Sequence, residues 1–324
     1  MDCMSLRCMK WISKVHKVTK SAYDSVALVF DTTSLRLQDF LHAFPHTIST
    51  IHTNDLRFTE GKSAPLPKER DLLVYVIDSH DPNDILTSRL AMYSKHSSVL
   101  LLGDKKTLKS VTTQFDVSQR KYGSDLAVML IEKQEIKVQQ PTEHEFDVQI
   151  DSYQLHMKAV QGLFSYKGID TATDFLLRNL PYQSLSGTII DLGCGYGMIG
   201  THVAKKLPNS SIHMIDSNAS AVKYARKNIT NNECSNAKVT QGYFLSKIRS
   251  GYANHIIANP PTHTRSEEVT RLFRQMNSVL QTGGTAFLVI NKAVKYARYA
   301  NEIFSEVSIF KQEGKFKIIF LRKG

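Results

Sequence analysis

Asp191-Leu192-Gly193-Cys194-Gly195-Tyr196-Gly197 sets a carboxylate beside three glycines spaced by one residue. Glycine lets a backbone turn sharply and approach a ligand with no Cβ in between, and the small thiol of Cys194 fits the same turn. A second acid, Asp216, closes the apolar run Ile212-His213-Met214-Ile215 and is followed by Ser217. A carboxylate there can accept both hydroxyls of a ribose. Further on, Asn259-Pro260-Pro261 follows His255-Ile256-Ile257-Ala258. The prolines fix two φ angles and remove two donors. The groups left to face a ligand are acceptors, the Asn259 side-chain oxygen and the Pro260 carbonyl. Two acceptors suit the two hydrogens of an exocyclic amine, and gripping them draws the nitrogen lone pair out of conjugation. Group transfer to such an amine needs positioning and electrostatics rather than a strong base. His263, two residues beyond Pro261, has three roles open to it: stacking on a base, hydrogen-bonding to it, or standing idle at the surface.

Gly195-x-Gly197-x-x-Gly200 also satisfies the dinucleotide fingerprint, with Asp216 at a suitable distance. Asp191 decides between the two readings. A pyrophosphate over this turn would be repelled by a neighbouring carboxylate, whereas S-adenosylmethionine presents an ammonium and a sulfonium that a carboxylate attracts. The plain alternatives are that Asp191 only shapes the turn and that Asn-Pro-Pro is only a tight loop.

These residues need strands that end side by side. The expected strands of the second half are Thr188–Leu192, Ile212–Asp216, Ala237–Gln241, His255–Asn259, Thr285–Asn291, Val307–Lys311 and Phe316–Arg322. Helices are expected over Thr171–Leu180, with Asp170 or Thr171 as cap, and over Met198–Leu207, Ala219–Thr230, Glu267–Leu280 and Ala293–Ile303. Gly283-Gly284 reads as the turn into the fifth strand. Only Gln312–Lys315 separates the last two strands, which predicts an antiparallel hairpin. Residues 149–160 alternate as a strand or hairpin. The first half has the same rhythm, with strands over Ser25–Phe30, Leu72–Asp78, Val99–Asp104 and Leu126–Lys133 and helices over Thr33–Ala43 and Asp84–Lys95. It lacks both the glycine turn and Asn-Pro-Pro. The expected fold is therefore α/β throughout. A seven-stranded Rossmann-like domain with a terminal antiparallel hairpin (149–324) follows a degenerate domain of similar type (22–140), with a polar boundary over Gln134–Val148 and a basic extension over 1–21.

The chain has 324 residues, enough for two cores. Its net charge of +11 favours a polyanionic partner such as nucleic acid, or an anionic membrane surface. Cysteines 3, 8, 194 and 234 form no C-x-x-C pair, so no metal site is expected and a reducing compartment is. No run approaches the ~20 apolar residues of a membrane span. The basic amino terminus lacks a secretory core; it reads as a mitochondrial presequence, or as a basic arm that contacts RNA or simply frays.

At these residues the chain resembles the two-domain ribosomal RNA guanine-N2 methyltransferases of the small subunit. The likeness rests on Gly162-Leu163-Phe164-Ser165 with Gly168-Ile169-Asp170, on the cofactor turn, on Asn-Pro-Pro, and on Gly314-Lys315-Phe316-Lys317. The resemblance implies S-adenosylmethionine as methyl donor, held by Asp191, Gly193, Cys194, Gly195, Gly197, Asp216, Ser217 and Tyr243. It implies Asn259, Pro260, Pro261 and His263 at the acceptor. Its further implications are ribosomal RNA or the small ribosomal subunit as partner, a cytoplasmic monomer, and an inactive duplicated first domain. Two departures stand out. The family's aromatic after Pro-Pro is replaced by Thr262, for which His263, Phe164 or Tyr166 are candidate substitutes. The third strand ends in Gln241-Gly242-Tyr243 rather than an acid, leaving adenine to Tyr243 or backbone groups. The alternatives are an RNA-binding or assembly protein with a decayed site, and methylation of a protein glutamine or DNA adenine.

Overall fold

A computed structural model describes residues 26–31, 48–52, 72–77, 83–122, 126–260 and 266–324. The basic extension, the helix expected over 33–43, and Pro261, Thr262, His263 and Arg265 lie outside the described residues. The chain divides into two compact units, Met1–Pro141 and Thr142–Gly324.

In the first unit, β1 (Val26–Asp31), β2 (Ile48–His52), β3 (Leu72–Ile77), β4 (Ser98–Asp104), β5 (Val117–Tyr122) and β6 (Leu126–Ile131) form one sheet in the order β2-β1-β3-β4-β6-β5. Pairing is parallel from β2 to β4 and antiparallel for β4–β6 and β5–β6. β3 is buried at every position, as expected of a parallel strand covered on both faces. Two helices, α1 (Asn83–Ser94) and α2 (Lys105–Val111), belong to this unit, and Asp104 caps α2 by accepting from the Thr107 N–H at 2.9 Å. β2, β5 and α2 escaped the sequence reading. β5, Val-Ser-Gln-Arg-Lys-Tyr, is a polar edge strand without an apolar run, and α2 is too short to show periodicity.

The second unit opens on a hairpin of β7 (Glu143–Ile150) and β8 (Tyr153–Val160). β7 starts at Glu143, inside the stretch expected to be a polar boundary. Its alternate residues are charged and exposed, which masked the inward face ending in Val148 and Ile150. Then follow α3 (Thr171–Asn179), β9 (Thr188–Leu192), α4 (Met198–Lys206), β10 (Ser211–Asp216), α5 (Ala219–Asn231), β11 (Ala237–Gln241), β12 (Ala253–Ala258), α6 (Ser266–Val279), β13 (Leu280–Asn291), α7 (Ala297–Ala300), β14 (Glu306–Glu313) and β15 (Phe316–Arg322). The sheet order is β11-β10-β9-β12-β13-β15-β14, parallel as far as β13, and closed by the expected antiparallel hairpin of β14 and β15. Removing the outermost strand, β11, leaves the order and strand directions of the first unit's sheet. Both faces are covered. Ile189, Met214 and Ile257 pack into one core, and Ile190, Ile215 and Ile256 into the other.

Two expectations are corrected. The helix expected over 293–303 shrinks to α7 between turns. Gly283-Gly284 lies within β13, at an irregularity in its register with β12, rather than before it.

The hairpin is stapled to α5 by two asparagines one turn apart. Asn228 accepts from Lys158 N at 2.8 Å and donates to Lys158 O at 2.8 Å and Tyr196 O at 2.7 Å. Asn232 does the same to His156, at 3.0 and 2.9 Å. A side-chain amide thus completes the hydrogen bonding of a strand edge.

Candidate donor and acceptor site

The parallel register places the two halves of the site together. Leu192 of β9 is paired with Ala258 of β12, so the glycine turn and Asn259 leave neighbouring strands at the same level. Adjacent strands are about 4.8 Å apart, and ligands of such sheets bind beyond these carboxyl ends.

The N–H groups of Gly193, Cys194, Gly195 and Gly197 are already committed. Gly193 N and Cys194 N both donate to Ile215 O, at 2.8 and 3.1 Å, and Gly197 N donates to Cys194 O at 2.8 Å. Gly195 N donates to Asp216 Oδ2 at 2.8 Å, and Gly200 N, in the first turn of α4, to Asp191 Oδ2 at 2.8 Å. A pyrophosphate site needs free N–H groups at a helix start. Here carboxylates occupy Gly195 N and Gly200 N, and the negative groups so placed oppose a pyrophosphate and favour a positively charged ligand.

Asp191 is only 1% exposed, which differs from a carboxylate facing a ligand directly. Its Oδ1 is buried without a hydrogen-bond partner. Burial pushes its pKa up to about 7; the Gly200 N–H opposes this and Asp216 adds to it. An orphaned buried carboxylate oxygen under a cation site is the feature an ammonium ligand would relieve. Asp216 is half-buried. Its Oδ1 accepts from Asn218 N at 2.8 Å and its Oδ2 from Gly195 N, so each oxygen serves at least one backbone N–H.

The glycines divide by role. Gly193 (φ +73°) and Gly195 (φ +55°) have left-handed backbones, and a Cβ on either would meet nothing within 4 Å; their outer face is open. Gly197 (φ +95°) faces inward, where a Cβ would lie 2.6 Å from Met214 Cε. At Gly200 it would lie 2.5 Å from Met214 Cγ. The missing side chain of Gly197 therefore lets α4 pack on β10, a role beside the ligand contact expected of its backbone. Cys194 is buried, and its thiol is pushed up by burial.

Around the far end of the site, Ser217 O accepts from Gln241 Nε2 at 2.8 Å. A groove of about 670 Å³ opens between Ala219 and Gln241 and runs along α5 past Lys223 and Arg226. Tyr243 is 5% exposed, stacked near Phe244, with its hydroxyl accepting from Arg271 at 3.4 Å. Its ring is part of the wall rather than an open platform.

On the acceptor side, Asn259 Nδ2 donates to Asp170 Oδ2 and to Thr173 Oγ1, both at 3.0 Å. Asp170 also caps α3, accepting from Ala172 N at 3.0 Å and Thr173 N at 3.1 Å. Sequence reading saw the cap and missed the contact with Asn259, which joins residues 89 positions apart. The preceding loop is tied down at Gly168 O, which accepts from Ser165 Oγ and from Tyr196 Oη of the glycine turn, each at 2.9 Å. Phe164 on this loop is 68% exposed, whereas Tyr166 is half-buried against His144. Pro260 is buried. Pro261 and His263 lie outside the described residues. Of the basic residues in this unit, Lys206 pairs with Asp151, Lys227 with Glu143, and Arg226 with Val239 O.

The methyltransferase small domain family matches residues 154–320. A Psychromonas ingrahamii protein called ribosomal RNA small subunit methyltransferase C is 26% identical over 291 residues, 83% of this chain and 80% of that protein. A Haemophilus influenzae protein of the same name is 34% identical over 168 residues, 51% of this chain and 50% of that one, so the chain matches about half the length of that relative. Among solved structures, that of the T. thermophilus 16S rRNA N2 G1207 methyltransferase (RsmC), in complex with AdoMet and guanosine, matches 97% of this chain and 92% of its own. The TM-score is 0.71 at 18% identity, and the likeness shows a shared fold. With its matched residues running from β8 to β15 and spanning the glycine turn and Asn259-Pro260, the chain belongs to the methyltransferase small domain family.

Proposed function

We propose that the protein transfers a methyl group from S-adenosylmethionine to the exocyclic N2 amine of a guanine in small-subunit ribosomal RNA. The observation that carries this reading is the register of β9 with β12. It sets a turn lined by two carboxylates, which hold Gly195 N and Gly200 N, beside an Asn-Pro acceptor pair. S-adenosylmethionine, when bound, supplies an electrophilic methyl on a sulfonium. Asp191 and Asp216 are the groups that attract and hold such a cationic nucleoside, and Gly193 and Gly195 give it room. Asn259 Oδ1 and the Pro260 carbonyl take the two amine hydrogens and aim the nitrogen lone pair at the donor side. Neither acts as a strong base; their contribution is orientation and stabilisation of the positive charge that grows on nitrogen. Phe164, an exposed ring on a loop that is bonded to Tyr196 of the glycine turn and leads into Asp170, is the candidate to stack on the target base in place of the aromatic missing at position 262. The names of the relatives support the substrate class, and the net charge of +11 suits a polyanion.

The test is transfer of tritium from labelled S-adenosylmethionine to small-subunit RNA or particles lacking the modification. Label that follows RNase digestion supports the reading. Label that follows protease or DNase instead, or calorimetry in which the protein binds a nicotinamide nucleotide and ignores S-adenosylmethionine, rejects it.

A further inference from the structure

We infer that Asp170 and Thr173 are positioning residues that fix which end of the Asn259 amide faces the acceptor site; this rests on the methyl-transfer reading above. An asparagine amide has two nearly isosteric ends, a donor NH2 and an acceptor oxygen, and its function at this site depends on presenting the oxygen. Nothing in Asn-Pro itself selects one end. The structure supplies the selection from another element. Asp170 Oδ2, at the N-cap of α3, and Thr173 Oγ1, in its first turn, receive the two hydrogens of Asn259 Nδ2 at 3.0 Å each. An ionised carboxylate only accepts, so the flipped amide would set oxygen against oxygen. Asp170 is itself held, because the same Oδ2 accepts the Ala172 and Thr173 N–H groups as helix cap. Thr173 is 6% exposed and Asn259 half-buried, so water competes little for these bonds. With both hydrogens of Nδ2 engaged, Oδ1 is the end left for the substrate amine. The loop before α3 is also bonded to Tyr196 of the glycine turn, so the frame that orients the acceptor is anchored to the donor side.

The geometry separates this role from plain helix capping. Serine caps helices about as well as aspartate, but its hydroxyl is too short to reach Asn259. Asparagine at 170 keeps an acceptor oxygen for all three bonds. Asp170→Ser and Thr173→Val are expected to lower kcat about tenfold or more. The melting temperature, the S-adenosylmethionine Kd by calorimetry and the KM for RNA should stay near wild type, and Asp170→Asn should retain kcat within about threefold. A second readout does not depend on turnover. In nitrogen-15 spectra, the Asn259 side-chain amide pair (assigned by its loss in Asn259→Ala) should exchange slowly in the wild type and quickly in Asp170→Ser. Equal loss of kcat in Asp170→Ser and Asp170→Asn, loss of kcat in step with melting temperature, or an Asn259 amide that exchanges at a surface rate in the wild type would each overturn the inference. A wild-type protein that moves no methyl group would instead reject the functional reading, and the spectra would still decide the clamp.

Discussion

Asp191 is the residue whose position changes what it is expected to do. It reads in the sequence as a carboxylate greeting a cation, and it lies beneath the turn with one oxygen bonded to Gly200 N and the other bare. Its pKa of about 7 lies above the unfolded value of 3.8. The folded protein thus holds the proton across this window, and stability is lost as pH rises from near 4 through 7, by at most about 4 kcal/mol. A cationic ligand needs the ionised form, so S-adenosylmethionine affinity should fall as pH drops below 7, by up to about tenfold per unit. In Asp191→Asn, which keeps an oxygen for Gly200 N, affinity should be weaker and flat with pH, and the ligand-free protein should melt higher than wild type at pH 8. Calorimetry and melting curves at pH 5, 6, 7 and 8 check both; a flat wild-type profile contradicts the buried-anion account. Phe164→Ala should raise the KM for RNA by the ~1–3 kcal/mol of a lost base stack while leaving donor binding intact, and unchanged kinetics would remove Phe164 from the substrate site.

The positions of Asp216 and Asn259 were legible because the first ends and the second directly follows an apolar strand, a place that the pattern itself marks. The partnership of Asp170 with Asn259 was not. It joins two elements far apart in the chain, and nothing local to either announces the other. The packing role of Gly197 was hidden for a related reason: spacing shows that a glycine is present, while only packing shows which way its missing side chain would point.

Among the elements, the β7–β8 hairpin was half visible, because β7 has charged residues at alternate positions and its buried side is short. What fixes it is invisible in sequence, since Asn228 and Asn232 look like exposed positions of an amphipathic helix. Asn228 is fully buried and completes three backbone bonds, one of them to Tyr196 of the glycine turn. Asn228→Leu leaves those groups buried without partners and should cost about 2 kcal/mol or more, several degrees of melting temperature. S-adenosylmethionine affinity should fall with it, because the turn loses its support. A variant that melts normally would show that the hairpin is held by its apolar face alone.

Among the described residues, two sheets match in strand order apart from the added edge strand β11, yet only the second unit's sequence has the glycine turn and the Asn-Pro pair. The alternation of strands and helices made both sheets readable in advance; the polar edge strand β5 and the short β2 were the parts hidden, because edges lack the continuous apolar runs of central strands. One S-adenosylmethionine per chain is therefore expected by calorimetry, and a stoichiometry of two would assign binding chemistry to the first unit. Binding to RNA should weaken steeply with salt, as phosphate contacts release counterions.

The central claim is that the paired strand ends deliver a methyl group to a nucleobase amine. Mass analysis of nucleosides from small-subunit RNA, with and without the protein and S-adenosylmethionine, tests it most directly. The expected result is N2-methylguanosine formed by the wild type and absent with Asn259→Ala. An RNA nucleoside profile unchanged by the wild type, or a methyl group on any atom other than an exocyclic nitrogen, would contradict it.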